Sequence, residues 1–360
     1  AKTEADKYTI KADKIVDKLD NYYNIIPGEG VPRGRQVGTP NDPDYNRCRY
    51  CGENIIAKYG GTGWDINMVT RPWKVQCPDC RRIFPTNNFE KFYELGRDEQ
   101  GYFDVNRARK AHHEKFVCES VKNGEPCTCT APKTEYSEEW YEFYGYGLAG
   151  GYLYNDLYSE LRTEGNAQYN KDPYRKDEAG TYYDVDGTRW GVDDGFGYLP
   201  GRKYVVGGKD VEERHGYVAM YNSDAWAETW TYIRNLSLAY VYTGDIKYGR
   251  AGAILLDHIA DVYPTFNIKP YEKMFLNTHG GSGNGAIQGR INDCDIARFF
   301  ALGTDAFYPA LTDSYVISYL SAKAEKYGLE NKKQSAEDIW KNWEERILKT
   351  IFTMEKDGRI

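Results

Sequence analysis

The chain has 360 residues, with 47 Lys+Arg against 54 Asp+Glu and a formal charge of −7. That length suggests roughly two domains, and the mild acidic balance excludes a general nucleic-acid binder, which would carry a basic excess. Mean hydropathy is −0.74 and 15% of the residues are aromatic, so the chain is too aromatic to be disordered, and no apolar run nears the roughly 20 residues of a membrane span.

The aromatic residues are uneven, with 33 Tyr and 8 Trp against 13 Phe. Rings with a polar tip suit half-wet clefts and stack on sugars. The opening Ala1-Lys2-Thr3-Glu4 has no basic-then-apolar signal segment. A mature secreted protein would read the same way.

Residues 8–24 predict a helix, with Ile10, Ala12, Ile15, Val16 and Leu19 near helical spacing. A Gly/Pro-rich loop follows from Pro27 to about Pro43, closing a first segment, 1–43. Residues 44–95 carry Cys48-x-x-Cys51 and Cys77-x-x-Cys80, with β-like runs such as Trp73-Lys74-Val75. Two CxxC pairs at this spacing predict a tetrahedral four-thiolate site for structural zinc, in a small ribbon-like β insertion. Four thiolates close the coordination sphere, which argues against catalytic zinc. Two disulfides are the alternative. Cys118, Cys127 and Cys129 form a looser cluster. It reads either as a second site with His112 or His113, or as a disulfide plus one thiol.

The rest, 96–360, predicts helical pairs. A helix over 137–160 opens at Ser137 and carries Trp140, Tyr144, Leu148 and Tyr152. Residues 164–214, rich in Gly, Asp and Tyr, read as a functional loop or a small β excursion. Trp226, Trp230, Ile233, Leu236 and Tyr240 mark a helix over 223–242. Gly244 is its left-handed stop, and Asp245 caps the next helix, which runs to about 262 before Pro264. A loop over 265–284 precedes helices at about 286–302, 309–327 and 336–356, the last opening on Ser335 with Asp338 three residues on. Alternating short and long connections predict a mainly α fold, an incomplete (α/α) toroid whose long loops gather at one mouth.

At this point the residues resemble a known family. Leu238-Ala239-Tyr240-Val241-Tyr242-Thr243-Gly244-Asp245, with Lys247-Tyr248 and the run Ala253 to Ala260, is similar to the helical hairpin of heparinase II/III-like polysaccharide lyases. So are Gly283 to Ile291 and Ala301 to Phe307, while Asp193-Asp194-Gly195-Phe196-Gly197 is similar to a segment of larger members. The likeness covers about 140 to 330 and rests on packing and loop motifs. It implies an α/α toroid followed by β-sandwich domains, a periplasmic or secreted setting, and β-elimination on an acidic, uronic-acid-containing polysaccharide such as a glycosaminoglycan. That reaction needs a group that neutralises the uronate carboxylate, a base at C5 and an acid at the departing O4. The family's Gly-Asn-Phe-Gly-x-His-like segment is not found in this chain. The expectation is therefore an N-terminal fragment of a longer enzyme, holding the groove without the whole catalytic set.

The candidate catalytic residues are His215, Tyr217 and His279. His215 and Tyr217 form the close His/Tyr pair, and His279 lies in a Gly-rich loop that lets backbone approach a ligand. Asn222, Trp226, Glu228, Asn277, Asn284 and Arg290 are the substrate-binding candidates. Asn222 could equally be an N-cap, Trp226 and Trp230 core, and His258 a structural histidine. A carbohydrate-binding helical domain without catalysis is one alternative. A glycoside hydrolase using Glu228 with Asp194 is another. There is no Walker spacing at Gly207-Gly208-Lys209, and no GxSxG or HExxH.

Overall fold

The computed structural model describes residues 2–31, 33, 48, 51–60, 63–84, 89–104, 107–108, 111, 120 and 123–126, five strands between 175 and 214, and then 217–268 and 285–360. The described residues are mainly helical. The first elements are α1 (Lys2–Val16) and α2 (Leu19–Asn24). They divide the single helix expected over 8–24. Ala12 and Ile15 are buried as the spacing predicts, but Ile10 is 62% exposed and belongs to the wet face.

The cysteine-bearing region follows. It holds α3 (Ile55–Tyr59), then β1 (Asp65–Ile66), β2 (Val75–Gln76) and β3 (Ile83–Phe84), then α4 (Phe89–Gly96). The strands form one antiparallel sheet, with Asp65 opposite Gln76 and Val75 opposite Phe84. Trp73, expected in a β run, instead turns the chain with φ +60. The interval 164–214 contains a β excursion. β4 (Arg175–Lys176), β5 (Tyr182–Tyr183) and β6 (Arg189–Trp190) form one antiparallel sheet, and β7 (Tyr198–Val206) pairs with β8 (Lys209–Arg214). The helix expected over 137–160 and the segment Asp193-Asp194 lie outside the described residues, as do His112, His113, Cys118, Cys127 and Cys129.

The helical unit consists of α5 (Tyr217–Thr243), α6 (Ile246–Val262), α7 (Arg290–Phe307) and α8 (Ser314–Lys326). It ends with α9 (Ala336–Trp343), a π-helical turn (Glu344–Leu348) and α10 (Lys349–Lys356). The expected caps form. Gly244 takes φ +69, and the Asp245 carboxylate accepts from Lys247 N at 3.0 Å. Ser335 and Asp338 make a reciprocal capping box.

α5 begins at Tyr217, six residues before the periodicity predicts. Its first turns bury Tyr217, Val218, Met220 and Tyr221 against the cysteine region, on a different face from Trp226, Ile233 and Leu236. A helix that buries two faces loses its single stripe, which is the signal periodicity reads. α6 goes further, since nearly every side chain from Tyr248 to Val262 is buried. α1, α5, α7, α8 and α9 all pack on it. Such close approach needs small residues. A Cβ on Gly252 would sit 2.1 Å from the Phe307 ring.

α5 and α6 run antiparallel, as do α6 and α7, with Gly252 against Phe307 and Tyr263 against Phe300. At one end Gly249 lies beside the Tyr240 ring and Ala310, and Arg250 pairs with Asp313 at 2.9 Å. The connections there are short. At the other end the long connections leave from α6 and α8. Lys333, in the second of them, reaches back to Asp257 and Asp261 on α6, and Asn342 on α9 donates to both carboxylates. Two buried acids against one lysine leave an excess negative charge. Burial pushes the Asp257 carboxyl up to about 6, against the downward pull of Lys333.

Two outcomes follow from this packing. Gly252→Ala forces Phe307 aside and lowers unfolding free energy by about 1–3 kcal/mol, read by urea denaturation. For Asp257, the stability gained from its raised folded pKa is whole below the unfolded value of 3.8 and is lost as pH rises through about 6. The stability of the natural protein minus that of Asp257→Asn therefore falls by roughly 3 kcal/mol between acid and neutral pH. Parallel denaturation curves would sink this charge assignment.

Candidate functional site

The sequence ties each CxxC pair to a turn. After Cys48 the chain reverses so that Gly52 N donates to Cys48 O at 2.8 Å, and after Cys77 Arg81 N donates to Cys77 O at 3.0 Å. Each reversal needs a left-handed residue just past its second cysteine. Gly52 (φ +73) and Arg81 (φ +61) fill those places. The two turns bring Cys48, Cys51, Cys77 and Cys80 together, with one ligand atom from each inside 4.8 Å of all the others.

The geometry separates a metal from disulfides. Cys48 Sγ lies 3.7 Å from Cys80 Sγ, and Cys51 Sγ lies 3.8 Å from Cys77 Sγ. A disulfide needs about 2.05 Å. A tetrahedral ion with Zn–S bonds near 2.3 Å places sulfurs about 3.8 Å apart. Two opposite edges of the four-sulfur cluster thus have the length a tetrahedral site needs, and the remaining separations stay within 4.8 Å. Hydrogen bonds from Cys48 and Cys77 draw the Cys80 thiol below the usual thiol range. A bound cation would hold all four as thiolates.

The centre is built into the fold rather than appended to it. Phe84, just beyond the second turn, stacks on Tyr217 at 4.5 Å, and Trp73 packs on Tyr221 at 5.1 Å. Trp64 meets Tyr217 edge-on at 5.6 Å. Cys48, Cys77, Trp64, Trp73 and Phe84 thus share one core with the start of α5. Each buried aromatic contributes about 1.5–3 kcal/mol.

Next to this core lies the end of the helical unit where the long connections leave. Arg33, 1% exposed, organises it. Its guanidinium donates to Ile287 O at 2.8 Å, Ala286 O at 2.9 Å and Asn267 O at 3.2 Å, and grips both oxygens of Glu29 at 3.1 Å. Glu29 in turn accepts from Asn267 N at 2.8 Å. The Asp293 carboxylate, fully buried, gathers the backbone N–H groups of Ala286, Ile287, Gln288 and Gly289. Both flanks of the 269–284 connection are thereby fixed side by side, with Ile268 N donating to Gly285 O at 3.3 Å. Gln288 then donates to Ser223 O at 2.6 Å and joins this end to α5.

The sequence candidates fall as follows. His215, Asn277, His279 and Asn284 lie outside the described residues, as does the Arg290 side chain, although Arg290 opens α7. Tyr217 is 2% exposed and Asn222 and Trp226 are fully buried. Asn222 sits inside α5 rather than capping it, and its amide donates to Val31 O at 3.0 Å. That bond ties the N-terminal loop to the helix. Trp226 packs edge-on against Phe266 at 4.8 Å, as a core residue. Trp230 stacks on Phe299 at 5.3 Å. Glu228 is exposed on the same helix. His258 stacks on Tyr23 at 4.0 Å, and burial holds it neutral, well below the usual histidine range. Sequence reading missed Glu29, Arg33, Asp293 and Lys333, whose partners lie far along the chain. The one local hint is Gly28-Glu29-Gly30 within the Gly/Pro-rich loop.

Compared with family models, curated proteins and solved structures, the chain matches none. Its function is therefore argued from its own residues.

Protein purified without chelator should carry one metal ion per chain by elemental analysis. Removing that ion should quench the tryptophan signal of Trp64 and Trp73 and loosen the start of α5. Gly52→Ala, with open space around it but a left-handed backbone, should cost about 1–2 kcal/mol in apparent stability. An ion retained by the Cys51→Ser/Cys77→Ser double variant would remove the centre from consideration.

Proposed function

We propose that the chain is the helical, substrate-holding part of a polysaccharide lyase that cleaves uronic-acid-containing polysaccharide by β-elimination, braced by a structural zinc. The reading rests on the family resemblance over 140–330. One observation carries it further. The start of α5, the four-cysteine core, both flanks of the 269–284 connection and the α8–α9 connection lie at one end of the helical unit. An incomplete α/α toroid presents its groove at such an end.

In this reading His279, Asn277, Asn284 and Arg290 are the residues that meet the sugar chain. Arg290 and an asparagine would neutralise the uronate carboxylate, so that charge can build at C5. A histidine or tyrosine would take the C5 proton, and a second group would protonate the departing O4. Arg33 and Asp293 act through the backbone they hold and are positioning residues. Zinc would have no open coordination position, so its part is structural. The same reading sets the protein in the periplasm or outside the cell.

A second reading is a carbohydrate-binding helical domain without catalysis. The closed packing of Tyr217, stacked on Phe84 and 2% exposed, favours it. The two are separated by incubating the protein with heparin, chondroitin sulfate, hyaluronan and alginate. Lyase action raises the ultraviolet absorbance of the conjugated, unsaturated product. His279→Ala should then lower the rate by about 100-fold or more. Binding with no absorbance change favours the second reading, and release of reducing ends without the conjugated product replaces both with hydrolysis.

A further inference from the structure

A polar cleft of about 540 Å³ opens where the α8–α9 connection, α9 and the π-helical turn meet the end of α6 and Gln100. Small-molecule sites span about 300–1,000 Å³. The floor is made by Asp261 and Asn342, both buried. It is rigid, because Lys333 and Asn342 lock Asp257 and Asp261 from two sides. Two further features mark it. Lys333 holds a strained φ of +54 to reach the floor, and such strain gathers at ligand clamps. The π-helical turn swings Arg346 onto the final carbonyls of α6, Ala260 O at 2.9 Å and Asp261 O at 2.7 Å. Turns of that kind recur at functional sites.

The chemistry of the lining selects the ligand. Asn342 spends both amide hydrogens on Asp257 and Asp261, at 2.9 and 3.0 Å. Its Oδ1 accepts no hydrogen bond among the described residues, and Asn342 lines the cleft. That oxygen is open to the cleft, so it is available to accept from a donor on whatever enters. A hydroxyl supplies one; a carboxylate does not. The side-chain amides of Gln100 and Gln334, on opposite segments of the lining, also make no hydrogen bond among the described residues. Each amide offers a donor beside an acceptor, which matches vicinal hydroxyls. Around the rim Lys332, Lys341 and Arg346 face Glu330, Asp338 and Glu345, while Lys333 is shared by Asp257 and Asp261 beneath them. The lining thus holds no excess of positive charge that would favour an acid.

We propose that this cleft binds an uncharged, hydroxyl-rich sugar unit, with Asn342 Oδ1 accepting from one hydroxyl and Gln100 and Gln334 bridging others. The site stands apart from the elimination chemistry and does not depend on it.

The test is calorimetric titration of the full chain with cellotetraose, mannotetraose and maltotetraose, and with a tetramer of uronic acid from alginate. At least one neutral tetramer should bind at millimolar concentration. The Gln100→Ala/Gln334→Ala double variant changes two side chains outside the core, so its thermal unfolding should match the natural protein. Its affinity for that tetramer should fall by about tenfold, the worth of one or two hydrogen bonds. The proposal is overturned if no neutral tetramer binds, or if the double variant binds it equally well. It is also overturned if the uronate tetramer is the ligand that the double variant releases. Lyase activity is read by absorbance, so a failure there leaves this outcome intact, and the reverse.

Discussion

A single buried guanidinium decides how the two ends of this molecule meet. Arg33 reaches three carbonyls from distant stretches of chain and the carboxylate of Glu29. A planar fork of five donors can do this, whereas a lysine ammonium cannot match its fixed directions. The bonds offset the desolvation of a buried cation, which would otherwise be prohibitive. Because the carbonyls belong to Asn267, Ala286 and Ile287, the same contact fixes where the intervening connection leaves and rejoins the helices. Asp293 completes the arrangement from the other side by accepting the N–H groups of the returning chain.

The cysteine region depends on the helical unit for its core, and the helical unit depends on it for the start of α5. Three strands of two residues each bury too little to persist alone. They gain stability from four sulfurs placed for an ion and from Tyr217 and Tyr221, which belong to α5. A metal held by these sulfurs would therefore be coupled to the placement of α5. Asn222 adds a direct tie from α5 to the N-terminal loop, and that loop carries Arg33. The four-cysteine cluster, α5 and the flanks of the long connections form one continuous set of contacts.

α6 supplies the axis for the rest. Helices pack on it from several sides, so it carries glycine and alanine where neighbours come close and leucine and isoleucine where they do not. Its last two turns bear two buried carboxylates, Asp257 and Asp261. Lys333 and Asn342 satisfy them, and Arg346 takes the free carbonyls at the helix end. Polar groups at this end are therefore partnered across elements, and the cleft above them inherits a stiff floor.

What the sequence determined by itself is whatever neighbouring residues decide. Cys48, Cys51, Cys77 and Cys80 declared a four-sulfur site because each turn is built within a few residues. Gly244, Asp245, Ser335 and Asp338 marked helix ends because capping is local backbone chemistry. The helical hairpin of α5 and α6 was legible from its period of apolar residues. The tertiary structure alone decided the rest. Burial on two faces hid the first turns of α5, and it turned Tyr217, Asn222 and Trp226 from residues expected at a groove into packed ones. Ile10 kept helical spacing yet faces water. Arg33, Asp293 and Lys333 gave no local signal, since a charged side chain can be buried only where partners from remote segments converge, and that convergence exists only in the folded chain.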